Sequence, residues 1–368
     1  MEMLIPIFKD KIVFYLEKWK GEYFDLEKPS DLQIFIHDIE LTLRRFSQAV
    51  IIDEAQTTPQ LFPVLRSMID EKRFKNGRYY LLGSVNPALV KHISESLAGR
   101  VGIIELTPFL FLETMEFSTD FHTYWVRGGY PDAIMETKES KWQRWQENYI
   151  RTFIERDVAR FALKTNSVQM RRLITMIANQ HGGLLNISEF GRSLGISNNT
   201  AASYIDILEG HYLIRRLQPY YANIGKRLVK SPKMYIRDTG VLHYLLGISS
   251  ERNLLESSKR GNSFEGLMIE QIIAIEQLQR TGTGFYFYRT HAGAEIDLIV
   301  DRGLERIGYE FKCAVSAGRK DWANLKAGIE DGIIDKGLIV YQGERNYMPT
   351  EHINVVSAVD YCSEWGNM

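Results

Sequence analysis

The chain of 368 residues is 45% hydrophobic and 25% charged, and its formal net charge is -1. These values are typical of a globular protein of two or three domains. They exclude a polycation, so any nucleic acid would have to bind at a local basic patch. Two cysteines, Cys313 and Cys362, exclude a disulfide framework and a cysteine-rich zinc site. We find no signal peptide, no membrane-length apolar run and no internal repeat, so we expect a cytoplasmic protein without membrane contact.

The front of the chain alternates predicted strands and helices. Residues 1–22 are predicted as a short strand or helix, and residues 23–29 as a strand edge that runs into a turn. Apolar spacing predicts helices over 31–46 and 59–70, and buried-strand composition predicts strands over 50–54, 78–84 and 97–106. The order strand, helix, strand, helix, strand predicts a parallel α/β sheet.

The segment VIIDEAQ begins with three β-branched residues and continues with Asp53 and Glu54. Parallel sheets bind ligands at the carboxyl ends of their strands. Two acids there are typical of the Walker B pattern, in which Asp53 would hold Mg²⁺ and Glu54 would orient or deprotonate the attacking water. The alternative is a buried strand that ends in two solvated acids.

Polar residues that could contact a nucleotide lie next to the two strands predicted after Asp53. Ser84 and Asn86 come at the end of the strand after Asp53, where an ATPase senses the γ-phosphate. Arg100 lies in a glycine-flanked loop and could reach a phosphate in its own subunit or in a neighbour's, which would require a homo-oligomer. Alternatively, these side chains only satisfy backbone groups of their loops.

The middle of the chain is predicted to hold a helical connector and a helix-turn-helix. A tight turn at 128–131 and a helix over 142–162 form the connector. Three helices are predicted over 170–180, 186–194 and 198–209, with a glycine-bearing turn before the third, as in a helix-turn-helix. Asn198 and Asn199 begin the third helix and would face a major groove.

A basic stretch follows the third helix. Strands are predicted over 212–217 and 233–236, like those of a wing, and no acid occurs between residues 212 and 233. The cations of this stretch are Arg215, Arg216, Lys226, Arg227, Lys230 and Lys233. They suit phosphate contacts without strong sequence preference. The alternative is a module for protein interaction or spacing.

The C-terminal third carries acids at spacings that favour a metal site. Asp297 lies on one predicted strand, and Glu310 and Lys312 lie two residues apart on the next, so they point to the same side. Asp297 and Glu310 would hold one or two Mg²⁺ ions, Lys312 would orient a water or neutralise charge, and Glu265 would reach in from a helix to complete the shell. The alternative is a strand with a solvated Glu310–Lys312 ion pair.

Several blocks of the sequence together resemble one prokaryotic family. They are YFDLEKP, VIIDEAQTTPQLFPVLRSMIDE, YYLLGS, LAGRVGIIELTPF and RGGYPDA, followed by the D…ExK pattern of the C-terminal third. The family comprises AAA-type ATP-binding proteins with a C-terminal domain of unknown function. The resemblance implies an ATPase module, a winged helix and a restriction-endonuclease-like fold, and the D…ExK pattern with its helix glutamate resembles the PD-(D/E)xK nucleases.

One departure from the family concerns ATP. The phosphate-binding loop GxxxxGK[ST], which supplies most of the grip on the phosphates, does not occur in the sequence. Three explanations stay open: the chain begins inside the ancestral domain, its true start lies upstream, or ATP binding has been lost. The family implies ATP as a ligand, whereas these residues argue against it.

The sequence thus predicts an α/β protein with four segments. They are a truncated AAA-type domain (1–117), a helical connector (118–165), a winged helix (166–245) and a nuclease-like domain (246–368). The leading hypothesis is an AAA-type ATPase-family protein with a DNA-binding winged helix and a Mg²⁺-dependent nuclease-like site. The alternatives are a non-catalytic nucleic-acid or protein binding module with an inactive ATPase half, and an ATP-independent Mg²⁺-dependent nuclease.

Overall fold

The computed structural model describes residues 2–6, 21–83, 96–158, 166–221 and 228–364. The chain divides into two compact units, residues 1–108 and residues 109–368. In the part that is described, each unit is built around its own β-sheet.

The first unit is an α/β domain with a parallel sheet. Its elements are β1 (Glu2–Pro6), β2 (Glu22–Asp25), α1 (Pro29–His37), α2 (Ile39–Arg44), β3 (Val50–Asp53), α3 (Leu61–Glu71), β4 (Tyr79–Leu81) and β5 (Gly102–Leu106). The strands run in the order β2-β3-β4-β1-β5, and every pair is parallel. All four residues of β3 are buried, as its β-branched composition predicts. The predicted parallel α/β sheet is confirmed.

The single helix predicted over 31–46 is wrong in one respect. The structure breaks it at Asp38, whose backbone is extended and whose side chain accepts a hydrogen bond from Leu41 N at 2.8 Å. Asp38 therefore caps α2 and ends α1, because a short acidic side chain competes with the helical backbone for its donors.

The second unit begins with a helical part. Its helices are α4 (Phe111–Thr114), α5 (Phe121–Arg127), α6 (Pro131–Met135), α7 (Glu139–Thr152), α8 (Ser167–Asn179), α9 (Ile187–Leu194) and α10 (Asn198–Gly210). The helix predicted over 142–162 changes to π-helical geometry at Phe153–Val158. The three helices predicted between residues 170 and 209 are confirmed as α8, α9 and α10. Gly195 adopts the left-handed conformation that the turn between α9 and α10 requires.

The remaining elements of the second unit build a mixed sheet and its covering helices. They are β6 (Gly183–Leu184), β7 (Ile214–Pro219), β8 (Lys233–Ile236), α11 (Thr239–Leu246), α12 (Glu251–Glu256), α13 (Arg260–Gln279), β9 (Gly284–Arg289), β10 (Glu295–Asp301), β11 (Arg306–Lys312), α14 (Ala323–Glu330), β12 (Lys336–Tyr341), β13 (Tyr347–Thr350), β14 (Ile353–Ser357) and α15 (Ala358–Glu364). The strand order is β13-β14-β12-β11-β10-β9-β7-β8-β6.

The strands of the helical part and of the C-terminal part join in this sheet. Strand β7 pairs with β8 on one side in antiparallel fashion and with β9 on the other in parallel fashion. Helix α13 packs on the sheet with almost all of its residues between 263 and 276 buried. Strands β7 and β8, predicted as strands like those of a wing, thereby lie in the same sheet as the C-terminal strands.

Candidate functional site

In the first unit, Asp53 and Glu54 lie at the carboxyl end of β3. Asp53 is 2% exposed and accepts hydrogen bonds from Tyr23 Oη at 2.5 Å and from the backbone N–H of Glu54 at 2.9 Å. Glu54 adopts a left-handed backbone with φ of 53°, and its carboxylate accepts from Gln56 Nε2. The edge that was predicted to bind a nucleotide therefore carries both acids, but Asp53 already has donors around it.

Arg100 does not share this edge. It precedes β5, so it lies at the amino edge of the parallel sheet, whereas Asp53 lies at the carboxyl edge. Its guanidinium forms a bidentate pair with Asp70, with Nε at 2.7 Å and Nη2 at 2.9 Å from the two oxygens. The prediction that Arg100 reaches a phosphate in its own subunit is wrong for this geometric reason. A role towards a neighbouring subunit stays a prediction, and Ser84 and Asn86 lie outside the described residues.

The helix-turn-helix residues Asn198 and Asn199 are exposed in the first turn of α10. Ser197 caps this helix and accepts from Thr200 N at 3.1 Å. Two neutral amides at an exposed helix N-terminus can contact phosphates or base edges. Their role in nucleic-acid binding stays a prediction.

Acids on neighbouring helices form ion pairs with two arginines of the predicted basic stretch. Arg215 forms a bidentate pair with the buried Glu270, and Arg216 pairs with Glu209 and with Asp206. Burial alone would raise the pKa of Glu270, but Arg215 and a second arginine, Arg237, lower it to about 2.

These contacts contradict the prediction that Arg215 and Arg216 present free charge to phosphates, because their guanidiniums are already engaged. Arg215 pairs with α13, which is far from β7 in the sequence, whereas Arg216 pairs with α10, the helix directly before β7. Lys230 is exposed and keeps its predicted role, whereas Lys226 and Arg227 lie outside the described residues.

In the second unit, Asp297, Glu310 and Lys312 meet on two neighbouring strands. The register pairs Leu298 with Tyr309, so its extension by one residue sets Asp297 opposite Glu310. Asp297 Oδ2 accepts from the backbone N–H of the next residue, Phe311, at 3.0 Å, and Lys312 Nζ lies 3.2 Å from Glu310 Oε2. The structure thus brings together the three side chains that the D…ExK pattern singles out.

Burial and mutual repulsion raise the pKa values of Asp297 and Glu310. Burial raises the pKa of Glu310 to about 7, opposed by Lys312 and assisted by two nearby glutamates. The pKa of Asp297 rises well above its ordinary value, first through burial and then through the charge of Glu310. Two such carboxyls side by side are the environment in which a cation or a proton is favoured.

Glu265 also lies in this cluster, but its hydrogen-bond partners were not predicted from the sequence. Its Oε1 accepts from Lys233 Nζ at 2.8 Å and from Tyr235 Oη at 2.5 Å. Lys233 Nζ lies 2.6 Å from Glu295 Oε1 as well. The placement of Lys233 in a solvent-facing basic patch is therefore wrong, because its side chain is only 4% exposed.

One signal in the sequence could have revealed this contact. Lys233 and Tyr235 are two residues apart on β8, a strand whose four residues are all buried. A lysine inside a buried strand needs a carboxylate partner, and Glu295 stands two residues before Asp297 on β10.

The carboxylates of Asp297 and Glu310 could together bind one divalent cation. Glu310 is 4% exposed, and its Oε1 has no hydrogen-bond partner in the described part of the chain. Among the described residues, no group of three or more His, Cys, Asp or Glu side chains is arranged to hold a metal ion. Mg²⁺ is commonly held by one or two carboxylates, with waters and substrate phosphates as its other ligands. Asp297 and Glu310 meet that requirement.

No helix in the described ranges is both long and apolar enough to cross a membrane.

Three family models match successive stretches of the chain. A family described as an AAA domain matches residues 6–115. Two families described as domains of unknown function, DUF8612 and DUF4143, match residues 118–252 and 260–361. The AAA-type family predicted from the sequence blocks is confirmed.

Relatives extend the similarity over most of the chain. An uncharacterized protein of Mycobacterium tuberculosis and one of Mycobacterium bovis are each 37% identical over 339 residues, which cover 91% of this chain and 74% of the relative. An uncharacterized protein of Haemophilus influenzae is 23% identical over 283 residues, 73% of this chain and 66% of its own. Protein VC1899 of Vibrio cholerae aligns over 99% of this chain and 95% of its own with a TM-score of 0.22 and 9% identity. By its identity to the mycobacterial proteins and its AAA domain, this chain belongs to their AAA-type family.

Proposed function

We propose that this AAA-family protein cleaves nucleic-acid phosphodiester bonds at Asp297, Glu310 and Lys312, with Mg²⁺ and without a need for ATP. The observation that carries the proposal is the buried Glu310 carboxylate, with one oxygen unpartnered, opposite Asp297 on the neighbouring strand. A carboxylate that is buried without full pairing costs stability, and such groups occur at functional sites.

Each of these side chains has a distinct part in the proposed chemistry. Asp297 and Glu310 would hold Mg²⁺, which, when bound, supplies a water of lowered pKa and offsets charge on the phosphate. Lys312 is about one-third exposed, so its ammonium can donate to a phosphate oxygen while it stays near Glu310. The hydrogen bond from Phe311 N fixes one Asp297 oxygen and with it the orientation of the carboxylate.

The helices ahead of the site support nucleic acid as the substrate class. The order α8, β6, α9, α10, β7, β8 with an antiparallel β6-β8-β7 edge is that of a winged helix. Asn198, Asn199 and Lys230 are exposed there, and such groups contact phosphates. Since Arg215 and Arg216 are engaged by acids, we expect weak and sequence-tolerant binding.

The test of cleavage compares variants of the site with a matched surface pair. Glu310→Gln and Lys312→Ala should each lower Mg²⁺-dependent cleavage of DNA or RNA by at least about 100-fold, in line with loss of a charge-stabilising group. Lys326→Ala removes the lysine of an exposed pair with Glu330 and should leave cleavage unchanged. Equal cleavage by Lys312→Ala and the parent chain would contradict the role proposed for Lys312, whereas a parent chain that shows no Mg²⁺-dependent cleavage would favour a protein that binds without cutting.

ATP binding by the first unit is tested separately. Calorimetry of the 368-residue chain with Mg·ATP should show no binding at millimolar nucleotide, because the sequence lacks the phosphate-binding loop and Arg100 lies at the opposite edge of the sheet from Asp53. Binding that is lost in Asp53→Ala would contradict this part of the proposal and would establish an ATP site at Asp53 and Glu54.

A further inference from the structure

Lys233 is a buried cation placed between two carboxylates of the acidic cluster. Its Nζ lies 2.8 Å from Glu265 Oε1 and 2.6 Å from Glu295 Oε1, and its side chain is 4% exposed. Tyr235 donates to the same Glu265 oxygen at 2.5 Å. The ammonium also stands 5.6 Å from the centre of the Phe287 ring. An ammonium is buried in this way only where carboxylates compensate it.

The charges of the cluster divide into two groups. Lys233 forms ion pairs with Glu265 on α13 and with Glu295 on β10. Lys312 contacts Glu310 alone and is partly exposed. Arg289 also pairs with Glu295, with its Nε 3.5 Å from Oε2. Lys233 and Arg289 therefore balance Glu265 and Glu295, and Lys312 balances one of the two remaining carboxylates. One negative charge is left on Asp297 and Glu310 when all are ionised, and one buried oxygen of Glu310 also lacks a partner.

We propose that Lys233 occupies the place of a second metal ion, so that the site takes one divalent cation, at Asp297 and Glu310. The inference rests on the proposed function. It reduces the expected number of metal ions at the site from one or two to one. Glu265 and Glu295 then form ion pairs with Lys233 and do not bind the metal. Lys233 and Tyr235 are positioning residues that hold Glu265 towards β8.

The first test counts ions. Titration of the full chain with Mn²⁺, followed by calorimetry or by the electron paramagnetic resonance of free Mn²⁺, should give one site per chain. Lys233→Met removes the cation that lies between Glu265 and Glu295 and should raise the count to two, whereas Lys233→Arg keeps the charge and should stay at one. One ion per chain in a folded Lys233→Met variant would overturn the inference.

A second variant keeps the test decisive if Lys233→Met does not fold. Glu265→Gln should weaken the single Mn²⁺ site by no more than about 10- to 100-fold, the size of an indirect effect, because its carboxylate is not a ligand. Asp297→Asn is the reference and should abolish measurable binding. Equal losses in the two variants would make Glu265 a ligand and overturn the inference.

The parent chain separates this inference from the proposed function. Two Mn²⁺ ions bound to the parent chain would overturn the inference and leave the proposed function intact. No Mn²⁺ bound to the parent chain would overturn both. A Lys233→Met chain that binds two ions while the parent binds one would support the inference whether or not cleavage has yet been detected.

Discussion

The raised pKa of Glu310 should make the second unit less stable as pH rises from about 4.5 to about 7. The folded pKa of this carboxyl is about 7, against 4.5 for an ordinary glutamate. At about 1.4 kcal/mol for each pH unit, this difference corresponds to about 3 kcal/mol of folding free energy. Because its side chain is almost fully buried, little of this effect is lost to solvent screening.

The sign follows from proton binding. Between pH 4.5 and pH 7 the folded chain holds a proton on Glu310 that the unfolded chain has released, so the free energy of unfolding falls as pH rises through this window. Glu310→Gln removes this dependence and also removes the charge that helps to raise the pKa of Asp297. Relative to the parent chain, the variant should therefore gain about 2 to 3 kcal/mol in stability between pH 5 and pH 8.

Urea unfolding at pH 5 and pH 8 without added metal measures this gain. Five of the six tryptophans follow residue 109, so their fluorescence reports mainly the second unit. Effects of shape are nearly the same at both pH values and largely cancel in the comparison, whereas the contact with Lys312 already contributes to the folded pKa of about 7. Glu330→Gln, an exposed glutamate of α14, is the control and should show no gain. A stability difference between Glu310→Gln and the parent that is the same at pH 5 and pH 8 would refute the reasoning.

Four further substitutions test other contacts. Gly128→Ala should lower the free energy of unfolding by about 2 kcal/mol or more in a thermal melt, since φ is +79° and the new Cβ would stand 2.3 Å from Asp238 Oδ1. Glu270→Ala should cost about 3 to 5 kcal/mol in urea unfolding, because it removes the buried carboxylate that pairs with Arg215 and with the buried Arg237, and a cost below about 1 kcal/mol would contradict a buried ion pair. Lys230→Ala should reduce the salt slope of DNA binding by about one ion, whereas Arg215→Ala should leave that slope unchanged.

Local patterns predicted the elements of this protein well. The buried run before Asp53, the helices α8 to α10 and the D…ExK strands all follow from the spacing of apolar residues and from turn residues, which act within a few positions. The pairing of Asp297 with Glu310 was accessible for the same reason, since both lie on consecutive strands of an antiparallel pair.

Ion pairs between residues that are far apart in the sequence could not be predicted from it. The sequence shows Arg215 in a stretch without acids, but its partner Glu270 is 55 residues away on α13. Lys233 is paired across 32 residues with Glu265 by the same sheet and helix. Whether a cation faces solvent or a carboxylate depends on which strands join, and that is a property of the whole unit. The amino-edge position of Arg100 likewise required the strand order.

The shared sheet has a consequence for how binding and cleavage would combine. Strands β7 and β8 close the helical part that carries Asn198, and β8 also supplies Lys233 to the acidic cluster. Strand β7 pairs directly with β9, so no flexible linker separates the two parts. A nucleic acid held by α10 would then keep a fixed position relative to Glu310. Changes that loosen β8 should therefore weaken binding and cleavage together, whereas changes at Glu310 should affect cleavage alone.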